Sequence, residues 1–428
     1  MNPVTTLTNG DVPMPVWSVA PFVGLLLSIA ILPLVHPHWW HENRNKAAVA
    51  IFFGLPVAVF VSFRDIGALG HAALEYLAFV SLLGSLYVIS GGVRLRGSLP
   101  GTPLSNTALL ALGAVLASLV GTTGAAMLLI RPYLHSNRSR ASKTHLIVFF
   151  IFIVANCGGC LTPLGDPPLF LGFLKGVPFL WTLGLWKPWL AVCAALLVVF
   201  FILDRVRFRK EVPLDSIAPG EPLGLEGSHN LLLLAGVIAT VLAGGFWVRP
   251  TYGETPAQLF QCAALATFAG LSLRFTPKEL RRANEFSWHP FVEVVVLFLG
   301  IFAAMIPALA LLKTRGDALG LSNPWEYFWA TGTLSAFLDN APTYLALVSM
   351  AQYLPDEVAG TTNGVLSAIS CGAVFFGAAT YIGNGPNFMV KAIADHAGVK
   401  MPSFFGYLGW SAAVLLPLFL LITLVFFR

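Results

Sequence analysis

Two short polar interruptions sit inside long apolar stretches of the chain. They are Thr162-Pro163-Leu164-Gly165-Asp166-Pro167-Pro168 and Thr380-Tyr381-Ile382-Gly383-Asn384-Gly385-Pro386. Each puts a polar side chain between residues that cannot continue a helix, because proline lacks an N–H and glycine is a poor helix former. Broken backbone at membrane depth is tolerated only where it is buried in protein or lines a wet cavity. Aligned, TPLGDPPLF (162–170) and TYIGNGPNF (380–388) share Thr, Gly, Pro and Phe at an offset of 218 residues, half the chain. This pattern predicts a duplicated transporter, with the two breaks as first candidates for an ion or substrate site.

Composition agrees with a membrane environment. Hydrophobic residues make up 57% of the 428 and charged residues 11%, against roughly 25% charged in soluble domains. The length allows about ten to twelve crossing elements of ~20 residues. The net charge of +5 is no sign of nucleic-acid binding, since the basic residues fall in short loops between apolar runs. The first residues, MNPVTTLTNGDVPMP, lack a basic n-region, so no cleaved signal peptide is expected. All five cysteines lie in apolar segments, which argues against a disulfide framework.

Apolar spans fall at 17–36, 45–63, 72–92, 104–134, 145–174, 178–203, 230–249, 257–274, 290–312, 325–350, 363–395 and 404–427. The 104–134 span is too long for one plain crossing and is interrupted by Gly121-Thr122-Thr123-Gly124; the 325–350 span is interrupted by Asp339-Asn340-Ala341-Pro342. Both suit re-entrant hairpins. Arg44/Lys46, Arg94/Arg96, Arg138/Arg140/Lys143, Arg205/Arg207/Arg209/Lys210 and Arg274/Lys278/Arg281/Arg282 then all face the cytoplasm. This holds only if 104–134 does not cross, so the charge pattern supports the hairpin independently. Both termini are expected outside.

The repeat extends beyond the breaks. His71 and Glu75 match His289 and Glu293 at the same offset, and the hairpin tips align near Thr123 and Asn340, an offset of 217. The expected fold is an all-α polytopic membrane protein of two inverted repeats, residues 1–203 and 230–428, each with a re-entrant hairpin and a broken helix. A flexible, polar, cytoplasmic linker, 204–229, joins them.

Asp166 and Asp339 lead the functional candidates. A carboxylate near the bilayer centre costs about 2.5–3.5 kcal/mol on insertion scales, so it needs a partner or a role. The bland role is a protonated acid capping a broken helix. The sharper one is a hard-cation site combining carboxylate oxygens, carbonyls freed by the breaks, and oxygens from Thr162, Thr380, Asn340, Asn384 and Asn387. A carboxylate that exchanges a proton for a cation is the minimum an antiporter needs. Glu75 and Glu293 are candidate proton relays; each lies near a span's start and follows a histidine by four residues, so each His–Glu pair shares a helix face. Cys157-Gly158-Gly159-Cys160 has the CxxC spacing but no second pair, and reads better as small residues that let helices approach closely. His36, His38 and His41 beside Trp39 and Trp40 read as an aromatic-belt edge. Neither a nucleophilic triad nor a phosphate loop is visible, so an enzyme is not expected.

At these residues the chain resembles the ion transporter superfamily of sodium/proton antiporters, arsenite permeases and citrate or dicarboxylate carriers. LTPLGDPPLF (161–170) is similar to that family's T-x-I-G-D/T-P-P-N signature, and LDNAPTYLA (338–346) carries the second motif. The resemblance implies the inverted repeats with hairpins and broken helices, and often a homodimer with elevator-type movement. It places Thr122 and Thr123 at the first tip, Asp339 and Asn340 at the second, and Asp166 and Asn384 at the breaks. Dicarboxylate carriers of the superfamily have uncharged Ser-Asn-Thr tips and a Thr where this chain has Asp166. Two acids about a small cavity repel citrate or succinate unless protonated or metal-bound, and attract Na⁺ or Li⁺. The Asn expected after Pro-Pro is Leu169 in the first repeat and Asn387 in the second. The expectation is therefore an inner-membrane Na⁺(Li⁺)/H⁺ antiporter, with Na⁺ the transported or coupling ion and no other cofactor. A citrate or dicarboxylate carrier, or arsenite efflux using the buried thiols, stands as the alternative.

Overall fold

The computed structural model describes residues 14–211, 221–315, 320–351 and 364–428; the start of the chain and part of the expected linker, 212–220, lie outside the described residues. In chain order the helices begin with α1 (Ala20–Val35), α2 (Pro37–His41), α3 (Asn43–Ser62) and α4 (Ile66–Ser90). Strand β1 (Arg94–Ser98) precedes α5 (Pro103–Val120), α6 (Thr122–Ser136), α7 (Thr144–Ile153), α8 (Pro167–Leu174) and α9 (Trp186–Glu211). Strand β2 (Glu221–Glu226) leads to α10 (His229–Ala243), α11 (Arg249–Tyr252), α12 (Glu254–Phe275), α13 (Lys278–Ala283) and α14 (His289–Arg315). The chain closes with α15 (Pro324–Leu338), α16 (Asn340–Ala351), α17 (Val365–Phe376), α18 (Gly385–His396) and α19 (Phe404–Phe426). Ten helical segments of the described residues are long and apolar enough to cross a membrane, and many of their large apolar side chains face outward. That inverted burial pattern belongs to a chain solvated by lipid. The protein is an all-α polytopic membrane protein.

Helix starts follow local chemistry. Thr102 and Asn323 each form a capping box, with Ser105 and Glu326, ahead of a proline at the first helical position. Those two caps launch α5 and α15. Each of these helices then reverses at one residue in the left-handed region: Gly121 (φ 82°) between α5 and α6, and Asp339 (φ 80°) between α15 and α16. The base of the first hairpin is tied at one end. Asn106 and Asn137 exchange amide hydrogen bonds of 2.9 and 2.8 Å, and Leu99 N donates to Ser136 Oγ at 3.0 Å. The start of α5 and the end of α6 thus lie side by side.

A buried ionic cluster finishes that base. Asp204, fully buried near the end of α9, accepts from Arg140 Nη2 at 2.6 Å and from Asn106 Nδ2 at 3.1 Å. His145 Nε2 lies 3.0 Å from its Oδ1, and Arg207 reaches His145 Nδ1 at 3.4 Å. Across the molecule, Arg281 Nη1 donates to Val88 O at 2.7 Å, and Asn284 Nδ2 donates to Gly91 O and Val93 O. Those side chains satisfy carbonyls that the end of α4 leaves without helical donors.

Two helix groups result. Helices α1, α3, α4, α10, α12 and α14 pack together, while α5 to α9 and α15 to α19 form a second group; they meet where α14 lies on α16 and α4 on α6. The connections α4–α5 and α9–α10 pass between the groups side by side. Within them β1 and β2 pair antiparallel, Arg94 opposite Glu226 and Ser98 opposite Glu221, with both Arg94 and Arg96 reaching the Glu226 carboxylate. Residues 221–226 of the expected flexible linker are therefore a strand, because its apolar and acidic residues have the basic segment 94–98 as a complementary edge.

The first group is held by small residues. A Cβ at Gly54 would lie 3.0 Å from Gly300 Cα, and one at Gly300 would lie 2.8 Å from the Ala50 side chain. Backbones of α3 and α14 approach closely only because no side chain stands between them. Gly300→Leu should lower the thermal midpoint in detergent, since overpacking of a close contact costs about 1–3 kcal/mol. An unchanged midpoint would mean that this crossing contributes nothing to stability.

Candidate functional site

Asp166 occupies the N-cap position of α8, yet its side chain makes no capping bond to that helix. The sequence explains this. Pro167 and Pro168 have no N–H, so the first turn offers little for a capping carboxylate to accept. Leu169 N donates instead to the Asp166 carbonyl at 3.1 Å. The carboxylate turns away from its own helix and is 1% exposed.

It is received by neutral donors from three other elements. Oδ1 accepts from Thr122 Oγ1 at 3.1 Å and from Asn384 Nδ2 at 2.9 Å; Oδ2 accepts from Asn340 Nδ2 at 2.6 Å. Thr122 opens α6, Asn340 opens α16, and Asn384 precedes α18. Both hairpin tips and both helix breaks therefore converge on one carboxylate. The ion pairs among the described residues lie elsewhere.

The two halves match closely at this point. Thr162 donates to Ser118 O, and Thr380, 218 residues on, donates to Ala336 O. Gly121 and Asp339 stand at the same offset with the same backbone sign. Thr122 and Asn340 are equivalent by that offset too, one residue from the Thr123–Asn340 match read from sequence. Thr123 is half-buried and enters no hydrogen bond to Asp166. Gly165 and Gly383 press against Gly159 and Gly377, so closely that a Cβ at Gly165 would collide with the Gly159 carbonyl.

Asn156, which the sequence reading did not select, lies in the interruption between α7 and the turn Cys157–Leu161 and is fully buried. Its Oδ1 is 3.2 Å from Asn384 Nδ2, and its Nδ2 donates to Ile151 O at 2.8 Å and Asn387 Oδ1 at 2.7 Å. A lone amide at the end of the apolar run 145–155 was its only signal.

The remaining candidates separate. Asp339 is half-buried and its Oδ1 accepts from Ala341 N at 3.1 Å, capping α16 rather than joining Asp166's hydrogen bonds. The hydroxyls of Thr162 and Thr380 are engaged with hairpin carbonyls and with nearby N–H groups, holding the shape of the breaks. Glu75, 3% exposed, pairs with Lys175 Nζ at 2.6 Å and His71 Nε2 at 3.1 Å, so the predicted His–Glu pair forms there and also grips the residue ending α8. Glu293 instead pairs with buried Lys46 at 2.7 Å, and His289 reaches His41 O. Cys157 and Cys160 are free and buried, and the glycines between them meet Ala114, Thr122 and Gly165 at close range. Close packing accounts for that motif.

Comparison with known proteins agrees with this architecture. A family model described as "Putative citrate transport" matches residues 11–427. An uncharacterized transporter of Mycobacterium bovis and one of Mycobacterium tuberculosis are each 23% identical over 395 residues, covering 84% of this chain and 88% of the relative. The chain is a multi-pass membrane transporter, not an enzyme, and it belongs to the family described as "Putative citrate transport".

Proposed function

We propose that the protein exchanges Na⁺ or Li⁺ for H⁺ at Asp166. The observation that carries this reading is the buried carboxylate of the first break, met by neutral partners alone from both tips and the second break. A carboxylate so placed holds either a proton or a cation, and the competition between them is the exchange. The surrounding amides suit both states. Asn340 and Asn384 present Nδ2 to the bare carboxylate, and the same groups carry an oxygen that can turn to a cation. Thr122 can donate or accept through one hydroxyl.

In this reading residues 1–203 and 230–428 are inverted repeats in the inner membrane, their hairpins are re-entrant, and both termini lie outside. Loops expected inside do meet one another: β1 pairs β2, Arg140 pairs Asp204, and Thr144 Oγ1 donates to Lys400 O at 2.9 Å. Carriage of citrate or a dicarboxylate is the second reading, favoured by the family description. It requires the Asp166 charge to be neutralised before an anion approaches.

The test is a pH dye trapped in proteoliposomes, with Na⁺, Li⁺, K⁺ and citrate added in turn. Dequenching by Na⁺ or Li⁺ is the expected result. Silence to the cations, with uptake of labelled citrate or succinate, would replace antiport by anion carriage.

A further inference from the structure

The two breaks match in backbone but differ in what fills them. In the second, Asn387 Nδ2 donates to Gly377 O at 2.7 Å and to Thr380 O at 2.8 Å. These carbonyls are released where α17 unwinds, and they are the oxygens that a cation in this break would require. The amide N–H groups stand in the cation's place. Asn387 Oδ1 is held in turn by Asn156 Nδ2 at 2.7 Å, and Asn156 Oδ1 faces Asn384 Nδ2. Every polar atom of the Asn387 side chain is thereby committed.

The first break has no such filling. At the offset of 218, Leu169 stands where Asn387 does, and Val374 stands where Asn156 does. Both are buried and apolar. Asn156 and Asn387, each apolar at its counterpart, contact one another, and both stand beside Asn384. Opposite it, Asp166 keeps a carboxylate.

We propose that each chain holds one exchangeable cation, at Asp166, because the second break is filled from within by the Asn387 amide. Asn156 is a positioning residue: it clamps Asn387 in the break and aims Asn384 at the Asp166 carboxylate. The assignment rests on the cation/proton reading above and adds its stoichiometry. One cation and one proton compete for one group, so exchange is one for one at this site.

Equilibrium binding of radiolabelled Na⁺ to the purified full chain tests it without any variant. The expected result is one Na⁺ per chain, no cooperativity, and an apparent Kd that rises about tenfold per unit fall in pH where the proton competes. Two competing protons would give about a hundredfold. Asn156→Ala should keep one Na⁺ per chain and move the pH of half-maximal binding by about half a unit, with Asn156→Gln restoring part of the shift. A purely structural role would lower the amount of active protein and leave that pH in place. Two Na⁺ per wild-type chain, or an unmoved pH profile in folded Asn156→Ala protein, would overturn this assignment and leave antiport standing. No Na⁺ binding by the wild type would overturn both.

Discussion

Under the proposed exchange, Asp166→Asn should reduce Na⁺-driven proton movement in proteoliposomes to the background of empty vesicles, while the protein should still purify as a folded, monodisperse species. The substitution is nearly isosteric and removes the carboxylate on which both tips and the second break converge, leaving the Asp339 carboxylate at the second tip in place. It also turns one acceptor into a donor among groups that already donate: Thr122, Asn340 and Asn384. One unsatisfied buried donor costs about 1–3 kcal/mol, which the rest of the membrane fold can absorb. The Thr122 hydroxyl can also rotate to accept. Thermal unfolding and size-exclusion profiles measured beside the transport assay separate loss of exchange from loss of structure. Wild-type exchange by the variant would remove Asp166 from the mechanism.

Asp204→Ala carries the largest expected loss of stability. The carboxylate accepts from Arg140, Asn106 and His145 in a place closed to solvent, and it fastens the end of α9 to the base of the α5–α6 hairpin. Removing one member of a buried ion pair costs about 3–5 kcal/mol. Unfolding followed by tryptophan fluorescence in detergent should show the midpoint falling sharply, and Asp204→Asn should fall less, since its amide oxygen can still accept. A midpoint unchanged in Asp204→Ala would mean that the cluster contributes nothing to the fold. The position lies outside the groups around Asp166, so protein that survives should transport as the wild type does.

What could be read from the chain alone follows from what local chemistry dictates. Pro167, Pro168, Gly383 and Pro386 announce the broken backbone wherever they fall, and the 218-residue offset needs no coordinates. The basic loops predict that 104–134 returns to its starting side, and the Asn106–Asn137 and Leu99–Ser136 bonds close that hairpin. The site itself was legible only in part. Asp166, Thr122, Asn340 and Asn384 come together, but Asp339 spends its carboxylate on the start of its own helix, a choice set by a backbone angle that sequence does not display. Asn156 was missed because its importance is entirely in its partners, which are 228 and 231 residues away. The β1–β2 pairing was missed for the same reason, its strands standing before and after α5–α9 in the chain.

That small ribbon has a mechanical consequence. Two separate peptide connections between the helix groups would act as independent tethers, each free to twist about its own bonds. Zipped together by main-chain hydrogen bonds and by Glu226 against Arg94 and Arg96, they behave as one strap with a width. A strap folds readily across its face and resists shearing within its plane, because shearing slides one strand's register past the other. Any travel of one helix group along the other is thereby guided at this end of the molecule, as a leather hinge guides a door.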